Sequence, residues 1–278
     1  MKKYLNSKFD LNSEELIEVF DELPFWAAPF GLKLIDKVVL RKEIKALDIG
    51  FGAGFPLTEL AMRLGNSCTV YGIDPWLAAI QRTRKKLAFY GIENVEIIEG
   101  VAESIPLPSD SVDLIVSNNG INNVEDLEKV LSESSRIMKK GGQFILTMNL
   151  NNTMVEFYEI LENVLRERDM TEEIEKMNQQ IYKKRKPLDE FIKLIEKHSF
   201  TIKDVDYDQF DYKFVDGTTL LNHYFIRMAF LNGCKNIVPI EKQVFIFNEI
   251  EKRMNEKALT DGYFKLSVPF VVLDCTKK

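Results

Sequence analysis

Two acids and three alternating glycines form the part of this sequence best suited to chemistry. Asp48 lies in a short apolar run, and Gly50, Gly52 and Gly54 follow it before a helical pattern begins. Glycine has no Cβ and allows positive φ, so such a loop lets the backbone come close to a ligand. The helix beyond it points free N–H groups and its positive end at the same place. The sequence therefore predicts a ligand-binding loop between a buried strand and a helix.

The two acids distinguish between classes of nucleotide-like ligand. A dinucleotide-binding loop has the spacing G-x-G-x-x-G, whereas here the third glycine comes one position earlier. Asp48, two residues before the first glycine, would repel a pyrophosphate and attract an ammonium group. Asp74 ends the next predicted strand, where a carboxylate can accept hydrogen bonds from both ribose hydroxyls. The loop is predicted to bind a ligand with a ribose and a cationic amino-acid end, which disfavours an NAD-dependent oxidoreductase.

Strands and helices alternate regularly after residue 45. The predicted strands are 46–49, 68–73, 95–98, 112–116, 144–148, 200–212 and 264–273. Helices 57–64 and 76–90 are predicted to follow the first and second strands, and helix 124–138 to follow the fourth. This alternation favours βαβ units and a parallel sheet. Lysines and glycines at 139–142 are predicted to end the third of these helices. The predicted fold class is α/β, Rossmann-like and doubly wound, with a mostly parallel seven-stranded sheet.

Helical stretches flank and interrupt this pattern. Residues 1–45 are predicted to form an N-terminal helical cap, with Ser13 as a candidate N-cap residue. Residues 46–278 are predicted to form the ligand-binding domain. Within it, a polar helical stretch at about 151–186 and a second stretch at about 215–262, with helices at 220–231 and 241–254, are predicted to be cap insertions.

An aromatic-rich bend at 23–31 contains two prolines and lies one helix before the glycine loop. Two arrangements remain open for it. The bend is either a corner between helices that packs on the core, or a flap over the glycine loop. In the second arrangement Trp26 is a candidate substrate-binding residue.

Charge balance argues against a nucleic-acid partner. The chain has 37 Lys and Arg against 43 Asp and Glu, a net charge of −6, whereas phosphate binding requires a basic face. Basic clusters at 82–86 and 183–186 lie in helical patterns, where a solvated helix face is expected. The expected partner is therefore a small molecule.

Soft metal ligands are few. Cys68, Cys234 and Cys275 are widely spaced, and His198 and His223 are the two histidines, so no metal site is predicted. An odd cysteine count without a signal-like leader indicates a reducing compartment, the cytoplasm. No apolar run is long enough to span a membrane. A soluble monomer or homodimer is expected.

Four segments, in this order and spacing, resemble the core of the class I S-adenosylmethionine-dependent methyltransferases. They are residues 47–54, 72–75, 100–118 and 137–142. The resemblance covers rather more than a third of the chain. Within the family it is closest to the group that includes ubiquinone/menaquinone-biosynthesis-type and related small-molecule enzymes.

The resemblance implies which residues hold the methionine part of the cofactor S-adenosyl-L-methionine. Asp48 and the loop residues Gly50 and Gly52 would contact this part. Asn118, at the end of the fourth predicted strand, would lie near the methionine part and the methyl group. Together these residues would place the methyl donor.

The resemblance also assigns the nucleoside part. Asp74 would bind the ribose hydroxyls, and Ala102 would donate its backbone N–H to adenine. Pro75 or Trp76 would lie against one adenine face, although Trp76 is equally suited to the core. Val101 departs from the family, which commonly has an acid there to accept a bond from the adenine amino group. This departure would weaken cofactor binding by about 1 kcal/mol, the value of one net hydrogen bond.

The implied activity is methyl transfer to a small-molecule acceptor by in-line displacement, which needs a base only when the nucleophile must lose a proton. The strand-end sequence at 117–123 lacks the Asn/Asp-Pro-Pro-aromatic signature of many enzymes that methylate planar nitrogens. His223 is a candidate base or substrate ligand, or a histidine satisfied within a helix interface. Asn119 and Tyr224 are further candidate substrate contacts. The alternative function is a non-catalytic S-adenosylmethionine sensor or sequestering protein.

Overall fold

The computed structural model describes residue 5 and the ranges 8–20 and 25–278. Leu23 and Pro24 of the aromatic bend, and most of the N-terminal stretch considered as a leader, lie outside these residues. The chain forms two compact units. The first, the helical unit, comprises Leu150–Lys186, Gln209–Pro269 and the described part of Met1–Phe9. The second, the sheet unit, comprises Asp10–Asn149, Pro187–Asp208 and Phe270–Lys278.

Seven strands form one sheet with the order β3-β2-β1-β4-β5-β7-β6. Strands β1 to β5 pair in parallel, and β7 is antiparallel to β5. This arrangement confirms the predicted α/β class and the mostly parallel seven-stranded sheet. The strands are β1 (Lys45–Ile49), β2 (Thr69–Asp74), β3 (Val95–Glu99), β4 (Val112–Asn118), β5 (Met138–Asn149), β6 (Phe200–Phe214) and β7 (Phe264–Lys277).

Helices precede and separate most of the strands along the chain. Ser13 caps the first helix as predicted, because its Oγ accepts a hydrogen bond from the Leu16 N–H at 3.3 Å. A π-helical segment, Arg227–Leu231, joins α10 to α11. The helices are α1 (Glu14–Phe20), α2 (Ala28–Asp36), α3 (Leu57–Leu64), α4 (Leu77–Tyr90), α5 (Leu127–Ile137), α6 (Val155–Arg166), α7 (Thr171–Lys184), α8 (Leu188–Lys197), α9 (Gly217–Asn222), α10 (Tyr224–Ile226), α11 (Asn232–Ile237) and α12 (Ile240–Asp261).

The central strands are buried along most of their length. Parallel strands covered on both faces are near-continuously apolar, and burial of each large aliphatic or aromatic side chain contributes about 1.5–3 kcal/mol. This packing fixes the strand ends that carry the site. The fully buried apolar residues of β1, β4 and β5 include Leu47, Leu114, Ile115, Val116, Phe144, Ile145 and Leu146.

Helix α5 ends at Ile137, one residue before the predicted boundary, so the lysines and glycines at 139–142 follow a helix end as predicted. The fifth strand begins earlier than predicted, because Met138 is extended and pairs with Val112 of β4. The pairing register with β4 then shifts, so 139–142 form an irregular stretch of β5. The Lys139 Nζ binds the Asp113 carboxylate at 2.8 Å.

Two loops pack closely at the carboxyl ends of β1 and β4. A Cβ on Gly120 would lie 2.3 Å from the Ile49 carbonyl oxygen and 3.0 Å from the Gly50 Cα. The Ser117 hydroxyl donates to the same Ile49 oxygen at 2.9 Å and accepts from the Ile121 N–H at 3.1 Å. These neighbours are backbone atoms of the glycine loop. The close approach of the two loops therefore leaves no room for a side chain at Gly120.

Gly120→Ala should therefore destabilise the sheet unit. We expect a loss of about 1–3 kcal/mol, as for other overpacked sites, measured by urea unfolding. Gly100→Ala is the matched control, because its Cβ would meet only the Ile73 Cδ1 at 3.9 Å. Equal stability of the two variants would contradict the close approach of the β1 and β4 loops.

Candidate functional site

The glycine loop after β1 adopts a backbone that requires glycine. Gly50, Gly52 and Gly54 have φ angles of 77°, 52° and 103°, the region that residues with a Cβ seldom adopt. The Gly50 N–H donates to the Ile73 carbonyl at 2.9 Å, and the Gly52 N–H donates to Oδ2 of Asp74 at 2.8 Å. A Cβ on Gly52 would meet no atom within 4 Å. The loop is thus fixed by β2 and faces open space at Gly52.

Asp48 is a buried carboxyl group without a hydrogen-bond partner among the described residues. Its side chain is 0% exposed, and neither oxygen makes a hydrogen bond of normal geometry there. Burial, and then the charge of Asp74, raise the pKa of Asp48 well above its usual value, while the nearby Leu57 N–H lowers it. An unpaired buried carboxylate is costly. A cationic group beside it would favour the ionised form.

Asp74 braces the loop and retains capacity to bind a ligand. Its Oδ2 accepts from Gly52, and its Oδ1 accepts from the Trp76 N–H at 2.8 Å. Burial raises the pKa of Asp74, and these two backbone donors oppose the shift. Each carboxylate oxygen has a second lone pair, so Asp74 can accept further hydrogen bonds, such as those from ribose hydroxyls, while it holds the loop. The ribose role stays a prediction.

Trp76 matches the core alternative more closely than the adenine alternative. Its ring packs against the cluster that contains Ile17 and Ala79, and its indole Nε1–H donates to the Leu11 carbonyl. Pro75, directly before it, is exposed. An adenine contact by Pro75 or Trp76 therefore stays a prediction.

The loop after β3 has two distinct sides. Ala102 is buried, whereas the Val101 side chain is 48% exposed. The Glu103 Oε1 accepts from the backbone N–H groups of Glu125 and Asp126 at 2.9 and 3.2 Å. Glu103 therefore fixes the segment before α5. The predicted bond from the Ala102 N–H to adenine stays untested.

Two asparagines at the end of β4 differ in the hydrogen bonds of their side-chain amides. The Asn118 Oδ1 accepts from the Thr147 hydroxyl at 3.0 Å, and its Nδ2 donates to the Ala27 carbonyl at 3.1 Å. Asn119 has a positive φ of 60°, and its Oδ1 accepts from Asn122 at 2.9 Å. The Nδ2 of Asn119 is buried without a hydrogen-bond partner among the described residues. Asn119 thus offers an unused donor.

The described part of the aromatic bend meets both the core and the glycine loop. Phe30 is buried, with its ring centroid 4.5 Å from that of Phe270, and Trp26 lies 6.2 Å from Phe30. A Cβ on Gly31 would lie 2.3 Å from the Phe55 ring. Helix α2 therefore packs on the core and directly on the loop. A substrate contact by Trp26 stays a prediction.

His223 and Tyr224 belong to the helical unit, whereas the other predicted site residues belong to the sheet unit. His223 interrupts the helix predicted at 220–231, since its extended backbone separates α9 from α10. Its ring contacts Phe214 and Tyr212 edge-on, at 5.3 and 6.2 Å. Its Nδ1 is buried without a hydrogen-bond partner among the described residues. Burial, and then the charge of Arg227, lower the pKa of His223, so the imidazole is neutral at pH 7.

The fold and the loop define a Rossmann-like domain, and domains of this kind bind ligands at the carboxyl ends of their strands. Residues 47–146 match the family model described as a methyltransferase domain. This segment, rather more than a third of the chain, is similar to a methyltransferase domain, as the sequence motifs indicate.

Curated relatives are similar to the same part of the chain. A protein of Saccharolobus solfataricus named "Probable cobalt-precorrin-6B C(15)-methyltransferase (decarboxylating)" is 29% identical over 153 residues, which cover 54% of this chain and 75% of that protein. The ubiquinone/menaquinone biosynthesis C-methyltransferase UbiE of Campylobacter jejuni is 34% identical over 111 residues, 38% of this chain and 45% of the relative. The chain thus spans less than half the length of the second relative.

The crystal structure of the YcgJ protein from Bacillus subtilis shares the fold. The TM-score is 0.59 at 19% identity, and the alignment covers 90% of this chain and 98% of that one.

Among the described residues, every helix is too short or too polar to cross a membrane. The same residues contain no group of three or more His, Cys, Asp or Glu side chains arranged to hold a metal ion.

Asp48→Asn should stabilise the protein at neutral pH. The folded state holds the Asp48 proton more tightly than the unfolded state, so the wild type loses stability as pH rises from the usual pKa of aspartate to the raised one. The expected difference is roughly 1.4 kcal/mol for each unit by which the pKa is raised. Urea unfolding of both proteins between pH 4 and pH 8 measures it, and the advantage of the variant should grow with pH.

Asp113→Asn supplies a control of opposite sign. Partial burial acts to raise the pKa of Asp113, but the Lys139 ammonium and the Lys45 N–H outweigh it and lower the pKa. This carboxylate therefore stabilises the fold above its usual pKa and loses that effect as pH falls. The Asp113 variant should be the less stable one at neutral pH. A stability loss of Asp48→Asn that does not change with pH would show that Asp48 is not a strained acid.

Proposed function

We propose that this chain binds S-adenosylmethionine and transfers its methyl group to a small-molecule acceptor. The observation that carries the proposal is the buried, unpartnered carboxyl group of Asp48 beside a glycine loop that is open at Gly52. When bound, this cofactor supplies a methyl group on a positively charged sulfur, which is already activated for displacement. The family match of residues 47–146 supports the same activity.

The residues of the sheet unit fit the parts of this cofactor. The ammonium group of its amino-acid end would favour the ionised form of Asp48, whose ionisation burial otherwise disfavours. Asp74 would accept hydrogen bonds from the ribose hydroxyls while still holding Gly52. Ala102 and Pro75 would contact the adenine base. The missing acid at Val101 leaves the adenine amino group without the partner that the family commonly provides.

The acceptor is proposed to be small and partly apolar. The relatives named as methyltransferases of cobalt-precorrin and quinone biosynthesis act on small molecules, which supports this class. Asn118 is held by two hydrogen bonds and would orient the methyl donor, while Asn119 has a free donor for the acceptor. Trp26 and Tyr224 are the aromatic candidates for its apolar part.

Positioning and exclusion of water would supply most of the catalysis, because the methyl group needs no further activation. His223 is proposed to accept a proton when the nucleophile carries one. Its neutral imidazole and its unpartnered Nδ1 suit that role. A cytoplasmic location and a monomer or homodimer belong to the same proposal.

Binding of the cofactor should depend on both strand-end acids. Asp74→Ala should weaken S-adenosylmethionine binding by about 1–3 kcal/mol, the value of hydrogen bonds lost to a charged group. Wild-type affinity should decrease as pH falls through the raised pKa of Asp48, since protonation removes the charge that attracts the ammonium group. Asp48→Asn should bind weakly at every pH. Isothermal titration calorimetry with S-adenosylmethionine, S-adenosylhomocysteine and NAD measures all three expectations.

Asp113→Asn is the control for these titrations, because Asp113 is engaged by Lys139 and Lys45 and should leave the affinity unchanged. Tight NAD binding without binding of either adenosyl ligand would overturn the proposal. Unchanged affinity in Asp74→Ala would show that the ribose is bound elsewhere.

His223 should titrate below its usual pKa of 6.5. The chain has two histidines, so proton NMR of the wild type and of His198→Gln assigns each imidazole signal. Transfer of labelled methyl groups to a metabolite library identifies acceptors, and His223→Ala should slow transfer to those with a dissociable proton by about 10²–10⁴-fold. Full activity of this variant would exclude the base. Tight cofactor binding without transfer to any metabolite would favour the sensor or sequestering alternative.

A further inference from the structure

Arg185 is buried, unlike the neighbouring lysines of its basic cluster. The cluster at 183–186 was expected to form a solvated helix face, and Lys183 and Lys184 are exposed. Arg185, the residue after the last turn of α7, is only 6% exposed. The expected solvated face is therefore wrong for Arg185, because its side chain turns into the helical unit.

The contacts of Arg185 within the helical unit are with neutral groups. Its Nη1 donates to the Thr153 carbonyl at 3.3 Å, and its guanidinium carbon lies 5.7 Å from the centre of the Tyr158 ring. Arg185 also acts on the pKa values of the Tyr158 hydroxyl and the Cys234 thiol. Thr153, Tyr158 and Cys234 are themselves buried.

These neighbours do not neutralise the guanidinium charge. Burial raises the pKa of Tyr158 far above neutrality, and it raises the pKa of Cys234 to about 11. Both groups are therefore uncharged at pH 7. None of the contacts that Arg185 makes with described residues is with a carboxylate. The end of α7 contributes at most a partial negative charge, so Arg185 is a buried cation without a full counter-charge.

Arg168, in the same unit, is an arginine with a carboxylate counter-ion. It also donates to a backbone carbonyl, that of Val164 at 2.8 Å, and lies 5.0 Å from the centre of the Phe245 ring. It differs in having the Glu167 carboxylate at 3.6 Å. The two arginines thus share a hydrogen bond and a ring contact. They differ in the counter-ion and in burial, since the Arg168 side chain is 24% exposed.

We propose that Arg185 is the anchor of an oxyanion-binding site in the helical unit, which takes the carboxylate or phosphate of a small organic molecule. A buried ion is stabilised only when it is paired and hydrogen-bonded. A guanidinium matches either oxyanion through two parallel N–H donors. The site is independent of cofactor binding by the sheet unit.

The test uses the full chain and three simple probes. Melting temperature is measured for the wild type, Arg185→Met, Arg185→Lys and Arg168→Met, with benzoate, inorganic phosphate or chloride at equal ionic strength. Wild type and Arg168→Met should be stabilised by benzoate or phosphate beyond chloride. Arg185→Met should lose this specific stabilisation, with at least tenfold weaker apparent binding. Arg185→Lys keeps the positive charge but lacks the two parallel N–H donors of the guanidinium, so its stabilisation by oxyanions should be intermediate.

The ligand-free proteins provide a second readout. Methionine removes an uncompensated buried charge and nearly fills its volume, so Arg185→Met without added oxyanion should be at least as stable as the wild type. A response to benzoate alone identifies a carboxylate ligand, and a response to phosphate alone identifies a phosphate ligand. Equal responses of wild type and Arg185→Met to both oxyanions would overturn the proposal. A wild type indifferent to both, together with a destabilised Arg185→Met, would instead identify a purely structural arginine.

Discussion

The hydrogen bond from the Gly52 N–H to the Asp74 carboxylate joins the two strand ends on which the candidate site depends. It ties the loop after β1 to the end of β2. On the opposite side, the contact between Gly50 and Gly120 holds the loop against the end of β4. Both sides of the loop are thus fixed, and its open face lies at Gly52. Asp48 lies buried next to this loop and lacks the hydrogen bonds that its neighbour Asp74 receives.

Much of the sheet unit was predictable because its signals are local. An apolar run, an acid and alternating glycines lie within a few residues, and each strand up to β4 ends within two residues of its predicted boundary. The early start of β5 has a non-local cause. Lysines and glycines follow the end of α5 as predicted, but Met138 pairs with Val112, and Lys139 reaches Asp113 across the sheet. Pairing between distant strands therefore extends β5 back to the end of the helix.

The site was predictable in its residue types and not in its energetics. The sequence identifies Asp48 and Asp74 as a pair, but it contains no sign that one carboxyl group is braced by two backbone N–H groups and the other by none. Arg185 was missed for a related reason, since a run of basic residues gives no indication of which one turns inward. Burial is a property of the assembled fold. The two units consequently contain buried charges of opposite sign, each with little compensation from its own unit.

The family match and the structural match cover different lengths of the chain. The family match ends at residue 146, and the helical unit resumes at Leu150. The YcgJ crystal structure nevertheless aligns over 90% of the chain at 19% identity. The fold is therefore shared over a longer part of the chain than the family model matches. The stretches at 150–186 and 209–269 lie outside the matched segment, so proteins that share the glycine loop can differ there.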